Sequence, residues 1–144
     1  MGKRLRHNRG ERLFFYVLPL VSYMLLIFAL SSVSRYPESC SWVFGLDKFV
    51  HTLEYYVLGC LLMRVLVTSP HGVFAEAPAV FAMIFGTLYA IGDEWHQSFV
   101  PGRYASIYDL LFDMLGVAIA VGTCRFVRRR AGRLGKAEDL SERG

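Results

Sequence analysis

Three stretches of the sequence carry polar residues whose types suit acid–base chemistry or ligand binding. The first contains Asp47, His51 and Tyr55, which recur every four residues and therefore share one face of a helix. The second runs from Asp93 to Gln97, and the third begins at Ser106. Imidazole and carboxylate groups together can move protons or hold a charged ligand. The candidate site residues are Asp47, Lys48, His51, Glu54, Tyr55, Glu94, His96, Gln97, Arg103, Ser106, Asp109 and Asp113.

Lys48 and Arg103 are the cations that the sequence places beside these carboxylates. The planar guanidinium of Arg103 can bind a carboxylate or a phosphate at two points. Two interpretations of Arg103 stay open. It either clamps an anionic ligand, or it forms a buried ionic lock with Glu94 and Asp109 that fixes helix ends.

Metal binding is an alternative use of the same residues. His51 and Glu54 have the i, i+3 spacing of a helical pair, and Glu94 and His96 offer a second pair. The chain has no HExxH motif, however, and a lone HxxE arises easily by chance. The sequence therefore predicts no metal and no cofactor. It assigns no catalytic residue, although His51 and His96 are candidates for proton transfer.

Apolar helices must position these residues. Of 144 residues, 54% are hydrophobic and 19% are charged, and the mean hydropathy of +0.37 is one that soluble domains rarely reach. Apolar runs predict an all-α fold, a four-helix transmembrane bundle. A cleavable signal peptide is the alternative for the first run, which is longer than such a peptide needs. The predicted spans are Leu13 to Ala29, Phe49 to Val67, Ala77 to Gly92 and Ile107 to Cys124.

The distribution of Lys and Arg predicts the orientation of the bundle, because cytoplasmic flanks retain positive charge. With the N-terminus inside, thirteen of the sixteen basic residues lie on the cytoplasmic side, and the polar stretches meet at the outer face. Both termini are then cytoplasmic. The basic groups flank the spans without interleaved aromatic residues, which argues against nucleic acid as a partner. The predicted organisation is a basic tail at 1–12, a membrane domain at 13–124, and a basic tail, expected to be disordered, at 125–144.

Small residues are spaced for close helix contact at Gly86 and Ala90 and again at Gly116 and Ala120. Such pairs are more often used for packing within one bundle. They could also form the interface of a homo-oligomer or of a complex with another membrane protein.

The sequence resembles the VanZ-like family of small bacterial membrane proteins. The resemblance covers most of the chain, from the first span through the fourth. It departs from the family pattern at Asp113, where Asn is typical, and this adds an ionisable group. The matching elements are Asp47, Lys48, His51 and Tyr55, then LYAIGDEWHQSFVPGR from Leu88 to Arg103, then Ser106, Asp109 and Gly116.

This resemblance implies a multi-pass protein of the bacterial cytoplasmic membrane with a role in the cell envelope. The family is named after an accessory protein linked to low-level resistance to the glycopeptide teicoplanin, so a connection with antibiotic resistance is also implied. The resemblance identifies no substrate. The residues that match the family's pattern as site candidates are Asp47, Lys48, His51, Glu94, Gln97, Arg103 and Asp109.

The leading functional hypothesis is recognition of an anionic lipid headgroup or a lipid-linked cell-wall precursor at the outer surface of the bilayer. In it, Arg103 clamps the anion, while His51 and Glu94 orient the ligand or move protons.

Three alternatives remain. One is a membrane-embedded hydrolase or transferase with Glu94 or Asp109 as general base. Another is a proton-coupled lipid transporter that uses Glu54, Asp109 and Asp113. The last is a structural partner of another membrane protein.

Overall fold

Helices make up most of the described chain. The computed structural model describes residues 9–34 and 44–141, and within these ranges it contains no β-strand. The all-α prediction is therefore confirmed. Three segments lie outside the described residues: 1–8, 35–43 and 142–144. They include some of the basic residues from which the orientation was predicted. The elements are α1 (Arg9–Arg12), a π-helical segment (Leu13–Val17), α2 (Leu18–Ser31), α3 (Phe44–Val67), α4 (Gly72–Glu76), α5 (Pro78–Gln97) and α6 (Ile107–Ser141).

Among the described residues, three stretches are long and apolar enough to cross a membrane: Gly10–Ser31, Leu46–Val67 and Ile107–Gly135. Helix α5, the predicted third span, is not among them. Four of its last five residues are polar, beginning at Asp93, so its apolar part is 15 residues long. At about 1.5 Å per residue this covers roughly 22 Å, less than the ~30 Å hydrocarbon core. A fourth span and the orientation of the termini stay predictions.

Pro19 affects the first helical stretch in a specific way. The backbone N–H of Leu18 bonds to the carbonyl oxygen of Leu13, which is the i to i−5 pattern of a π-helix. Proline lacks an N–H group, and its ring collides with the carbonyl four residues earlier, so a wider turn before it relieves the clash. Pro19 therefore lies just after a π-helical turn within this stretch.

Close contact between α3 and α6 holds the bundle together, and α5 packs against both. A Cβ atom on Gly116 would overlap the backbone carbonyl of Thr52, and one on Gly59 would lie 2.7 Å from the Cβ of Ala120. Gly86 of α5 contacts Val117 in the same manner. The small-residue spacing read from the sequence therefore marks helix contacts within one chain.

The C-terminal part of the chain differs from the sequence expectation. A disordered tail was expected after Cys124, but α6 continues without a break to Ser141. Arg, Ala and Leu dominate this stretch and favour helix, and its glycines are tolerated singly. The predicted basic region is thus, as far as it is described, an exposed extension of the last membrane helix.

Substituting Gly116 by Ala should destabilise the protein, because the added methyl group meets the backbone of α3. Overpacking of this kind costs about 1–3 kcal/mol. Gly122→Ala on the same helix is the matched control, since a Cβ there meets nothing within 4 Å and Ala favours helix by up to about 1 kcal/mol. Thermal unfolding in detergent should show a lower midpoint for the first variant and an unchanged or higher one for the second. Equal midpoints would contradict this packing.

Candidate functional site

Four helices bring polar side chains together at one end of the bundle. The N-terminal half of α3, the last turns of α2 and α5, and the start of α6 all meet there. We call the following residues the polar cluster: Ser31, Asp47, Lys48, His51, Tyr55, Asp93, Glu94, Gln97, Asp109 and Asp113. Most of its members are buried, including Tyr55 and Asp113 at 0% exposed.

Lys48 connects α3 to α6 through an ion pair with Asp109, and its ammonium group also lies 3.3 Å from Asp47. The side chains of Lys48 and Asp109 are each 12% exposed. The sequence suggested a buried ionic lock of Arg103 with Glu94 and Asp109. In the structure Lys48, rather than Arg103, is the cation that pairs with Asp109.

His51 forms the second link between α3 and α6. Its Nδ1 atom lies 3.0 Å from Oδ1 of Asp113, and its Nε2 atom lies 4.0 Å from Oδ1 of Asp47. A buried imidazole held by a carboxylate is a common arrangement for proton transfer and for metal binding. Tyr55 follows His51 by one turn, and its hydroxyl has no hydrogen-bond partner among the described residues.

Glu94 lies at the end of α5 and faces the start of α6. Its Oε2 atom accepts a hydrogen bond from the backbone N–H of Ser106 at 2.7 Å. Its Oε1 atom and Oδ2 of Asp113 are buried, and the described residues provide neither with a hydrogen-bond partner. Buried oxygen atoms of this kind are rare and require an explanation.

Asp93 and Ser31 belong to the site although the sequence reading omitted them from the candidates. The hydroxyl of Ser31 donates to Oδ1 of Asp93 at 2.7 Å, and the amide of Gln97 donates to Oδ2 at 2.9 Å. The i, i+4 spacing of Asp93 and Gln97 was a usable signal. Ser31 gave none, because its contact depends on how α2 packs against α5.

Arg103 lies in the loop between α5 and α6 and contacts the end of α2. Its Nε donates to the carbonyl of Val33 at 3.2 Å, and Nη2 donates to the carbonyl of Leu30 at 3.0 Å. A third contact runs from Nη1 to the side-chain oxygen of Gln97 at 3.5 Å. A cation at the C-terminal end of a helix is stabilised by the helix dipole. The contacts therefore give Arg103 a structural role in addition to any contact with a ligand.

His96 and Glu54 take places apart from the centre of the cluster. The Nε2 atom of His96 lies 3.0 Å from the hydroxyl of Ser32, and its ring stacks on Phe28. The contacts of His96 are thus with α2, and those of His51 are with α3 and α6. Glu54 lines a cavity that is shared with His51.

This cavity lies beside the polar cluster, is partly open, and has a volume of about 260 Å³. Both polar and apolar side chains line it. Its lining residues are Ile27, Leu30, Ser31, Val33, Val50, His51, Glu54, Asp93, Gln97 and Arg103.

Exposed aromatic residues surround the same end of the bundle. Trp95, Phe99, Tyr104 and Tyr108 are each 64% exposed or more. Aromatic side chains at this level are typical of the interface between a bilayer and water.

Together, the apolar helices and their buried polar cluster are those of a multi-pass membrane protein. A sequence model of the VanZ/LLP1 family matches residues 4–128, which is most of the chain. The chain therefore belongs to the VanZ/LLP1 family, and the resemblance noted from the sequence is confirmed. Comparison with curated proteins and with solved structures gave no match.

Lys48→Met should destabilise the protein strongly, because it removes the ammonium group from Asp47 and Asp109. Loss of one partner of a buried ion pair costs about 3–5 kcal/mol. In the double variant Lys48→Met/Asp109→Asn the buried carboxylate charge is removed as well. Its loss of stability should therefore be smaller than the sum of the losses in Lys48→Met and in Asp109→Asn. The free energy of unfolding, measured for these three variants, tests this coupling. Additivity within about 0.5 kcal/mol would show that the pair contributes nothing.

Proposed function

We propose that this VanZ/LLP1-family protein acts in the cell envelope and binds the polar headgroup of an envelope lipid or lipid-linked cell-wall precursor. The cavity beside the polar cluster carries this proposal. In it the protein sits in the bacterial cytoplasmic membrane with four spans and both termini inside, and the cavity opens at the outer face. The basic residues after Cys124 support this orientation.

The mixed polar and apolar lining of the cavity favours an amphiphilic ligand. Ile27, Leu30 and Val50 can contact the start of a lipid chain, whereas Arg103 and the carboxylates face its headgroup. The volume of about 260 Å³ lies just below the ~300–1,000 Å³ of pockets that hold drug-sized ligands. A headgroup fits this space, and a whole glycopeptide antibiotic does not. Any effect on teicoplanin resistance would therefore pass through an envelope lipid.

The charges of the wall specify the headgroup further. Arg103 provides a cation that can contact a phosphate, and Glu54 and Asp93 add carboxylates to the same lining. We therefore expect a phosphate-bearing headgroup to bind, with Arg103 on the phosphate side.

Substituting Arg103 by Ala should weaken headgroup binding by at least about tenfold, since charge-assisted hydrogen bonds contribute about 1.5–3 kcal/mol. The measurement is native mass spectrometry of the protein in detergent with phosphatidylglycerol, phosphatidylethanolamine, undecaprenyl phosphate and diacylglycerol. The three phosphate-bearing lipids should bind and diacylglycerol should not. Equal binding of diacylglycerol, or unchanged binding by Arg103→Ala, would contradict the proposal.

Two controls separate binding from stability in this experiment. Tyr89→Phe removes the hydrogen bond from Tyr89 to the carbonyl of Met24. Like Arg103→Ala, it removes a hydrogen bond to a backbone carbonyl in the first helical stretch, but Tyr89 does not line the cavity. Arg133→Ala removes an exposed positive charge from the far part of α6. Both controls should bind the lipids as the unaltered protein does.

A cellular assay tests the role in the envelope. In a strain from which this protein has been deleted, the unaltered protein should restore tolerance to teicoplanin and other envelope stresses. The variants Arg103→Ala, His51→Ala and Glu94→Gln, present at matched membrane levels, should not. Full restoration by all three variants would show that the polar cluster is structural.

The His51–Asp113 pair favours a second candidate function, a membrane-embedded hydrolase or transferase. An imidazole oriented by a fully buried carboxylate is suited to act as a general base. Incubation of the protein in nanodiscs with undecaprenyl diphosphate, followed by mass spectrometry, would reveal turnover that depends on His51. Unchanged substrate with correctly folded protein would remove this candidate.

A further inference from the structure

The centre of the polar cluster contains three buried groups that could all bind one ion. His51, Glu94 and Asp113 are 6%, 6% and 0% exposed. Each places one ligand atom within 4.8 Å of the other two. Two carboxylates this close repel each other, and burial makes the repulsion stronger. A positive charge between them would remove the conflict.

A neighbouring group of ligands shows how this conflict is resolved elsewhere. Asp47, His51 and Asp109 are also close enough to share an ion. In that group, however, the ammonium of Lys48 already contacts both carboxylates. In the group of Glu94 and Asp113 the base in contact with Asp113 is His51, and one oxygen of each carboxylate lacks a hydrogen-bond partner among the described residues.

We propose that His51, Glu94 and Asp113 bind one divalent metal ion of the zinc or manganese class. The distance of 3.0 Å between Nδ1 of His51 and Oδ1 of Asp113 is already close to the spacing of two ligands that each lie about 2.0–2.2 Å from a metal. The ion replaces the proton between these atoms, and that proton is released to solvent. With neutral His51, two carboxylates and a doubly charged ion, the net charge of the group is zero.

The surroundings of the three ligands are those of a prepared site. The backbone N–H of Ser106 holds Oε2 of Glu94, and Oε1 stays buried without a hydrogen-bond partner among the described residues. Oδ1 of Asp47 lies 4.0 Å from Nε2 of His51. A small movement would create the carboxylate–histidine–metal arrangement that orients the imidazole in many metal proteins.

The ligand types limit which ion fits. A nitrogen ligand argues against magnesium and calcium, which prefer oxygen, whereas zinc and manganese accept imidazole and carboxylate together. Three protein ligands leave at least one coordination position open, as in catalytic zinc sites. Since His51 also lines the cavity, the ion would add positive charge beside the headgroup. This last consequence rests on the proposed function, but binding of the ion does not.

No sequence motif marks this site, because its three ligands come from three different helices. The pairs that lie close together along the sequence are His51 with Glu54 and Glu94 with His96. The structure instead groups one member of each pair with Asp113, the residue at which the sequence departs from the family pattern.

The test measures metal content directly, without added lipid. The full chain is purified in detergent, stripped with a chelator, dialysed against zinc or manganese at micromolar concentration, and analysed by inductively coupled plasma mass spectrometry. We expect about one ion per chain, and a thermal midpoint that rises with the added ion. In Asp113→Asn and Glu94→Gln the affinity should fall at least about tenfold, because loss of even an outer-shell partner costs 10–100-fold.

Glu76→Gln is the matched control, because it neutralises an exposed carboxylate of α4. It should bind the ion as the unaltered protein does, whereas Asp109→Asn tests whether the ion occupies the group of Asp47, His51 and Asp109 instead. Circular dichroism verifies that each variant is folded, and Asp113→Asn introduces the residue that the family pattern has at this position. Failure of the folded, unaltered protein to bind zinc or manganese at millimolar concentration would overturn the proposal. Equal losses in Asp109→Asn and Asp113→Asn would also overturn it, because they would place the ion in the other group.

Discussion

Buried carboxylates at the end of apolar helices are the constraint on which the rest of this structure depends. An ionised carboxylate away from water costs several kcal/mol unless it is paired or hydrogen-bonded. Each one here is provided with a partner from a different segment of the chain. Lys48 pairs with Asp109, His51 with Asp113, Ser31 and Gln97 with Asp93, and the backbone of Ser106 with Glu94.

These partnerships require the helices to approach closely, and small residues make that approach geometrically possible. Gly116 lies against the backbone of α3 within one turn of Asp113. A larger residue there would move α6 away from α3 and lengthen the distances from His51 and Lys48 to their carboxylates. Packing and electrostatics are therefore coupled: the glycine contacts set the helix separation that the ionic contacts need.

The sequence was sufficient for those features that depend on one helix at a time. The apolar runs predicted the helices, and the spacing of Asp47 and His51 correctly placed both side chains on one face of α3. Pairing between helices was harder, because it depends on their relative rotation and depth. Arg103 was the expected partner of the carboxylates. Instead, Lys48 on α3 forms the ion pair with Asp109 on α6. Arg103 contacts backbone carbonyls at the end of α2 and just beyond it.

The same reason explains the site residues that the sequence reading missed. Ser31 is one of many serines near a helix end, and only the packing of α2 on α5 brings it to Asp93. The extent of α6 was misjudged for a different reason. Hydropathy falls after Cys124, but helix propensity does not, so the membrane-spanning part ends before the helix does.

The most direct test of this account is an X-ray structure of the protein crystallised with manganese, with anomalous differences collected. The account predicts one anomalous peak within about 2.0–2.2 Å of a nitrogen of His51 and of oxygens from Glu94 and Asp113, with Lys48 retained on Asp109. A map with no peak among these residues, or with its peak between Asp47 and Asp109, would contradict it.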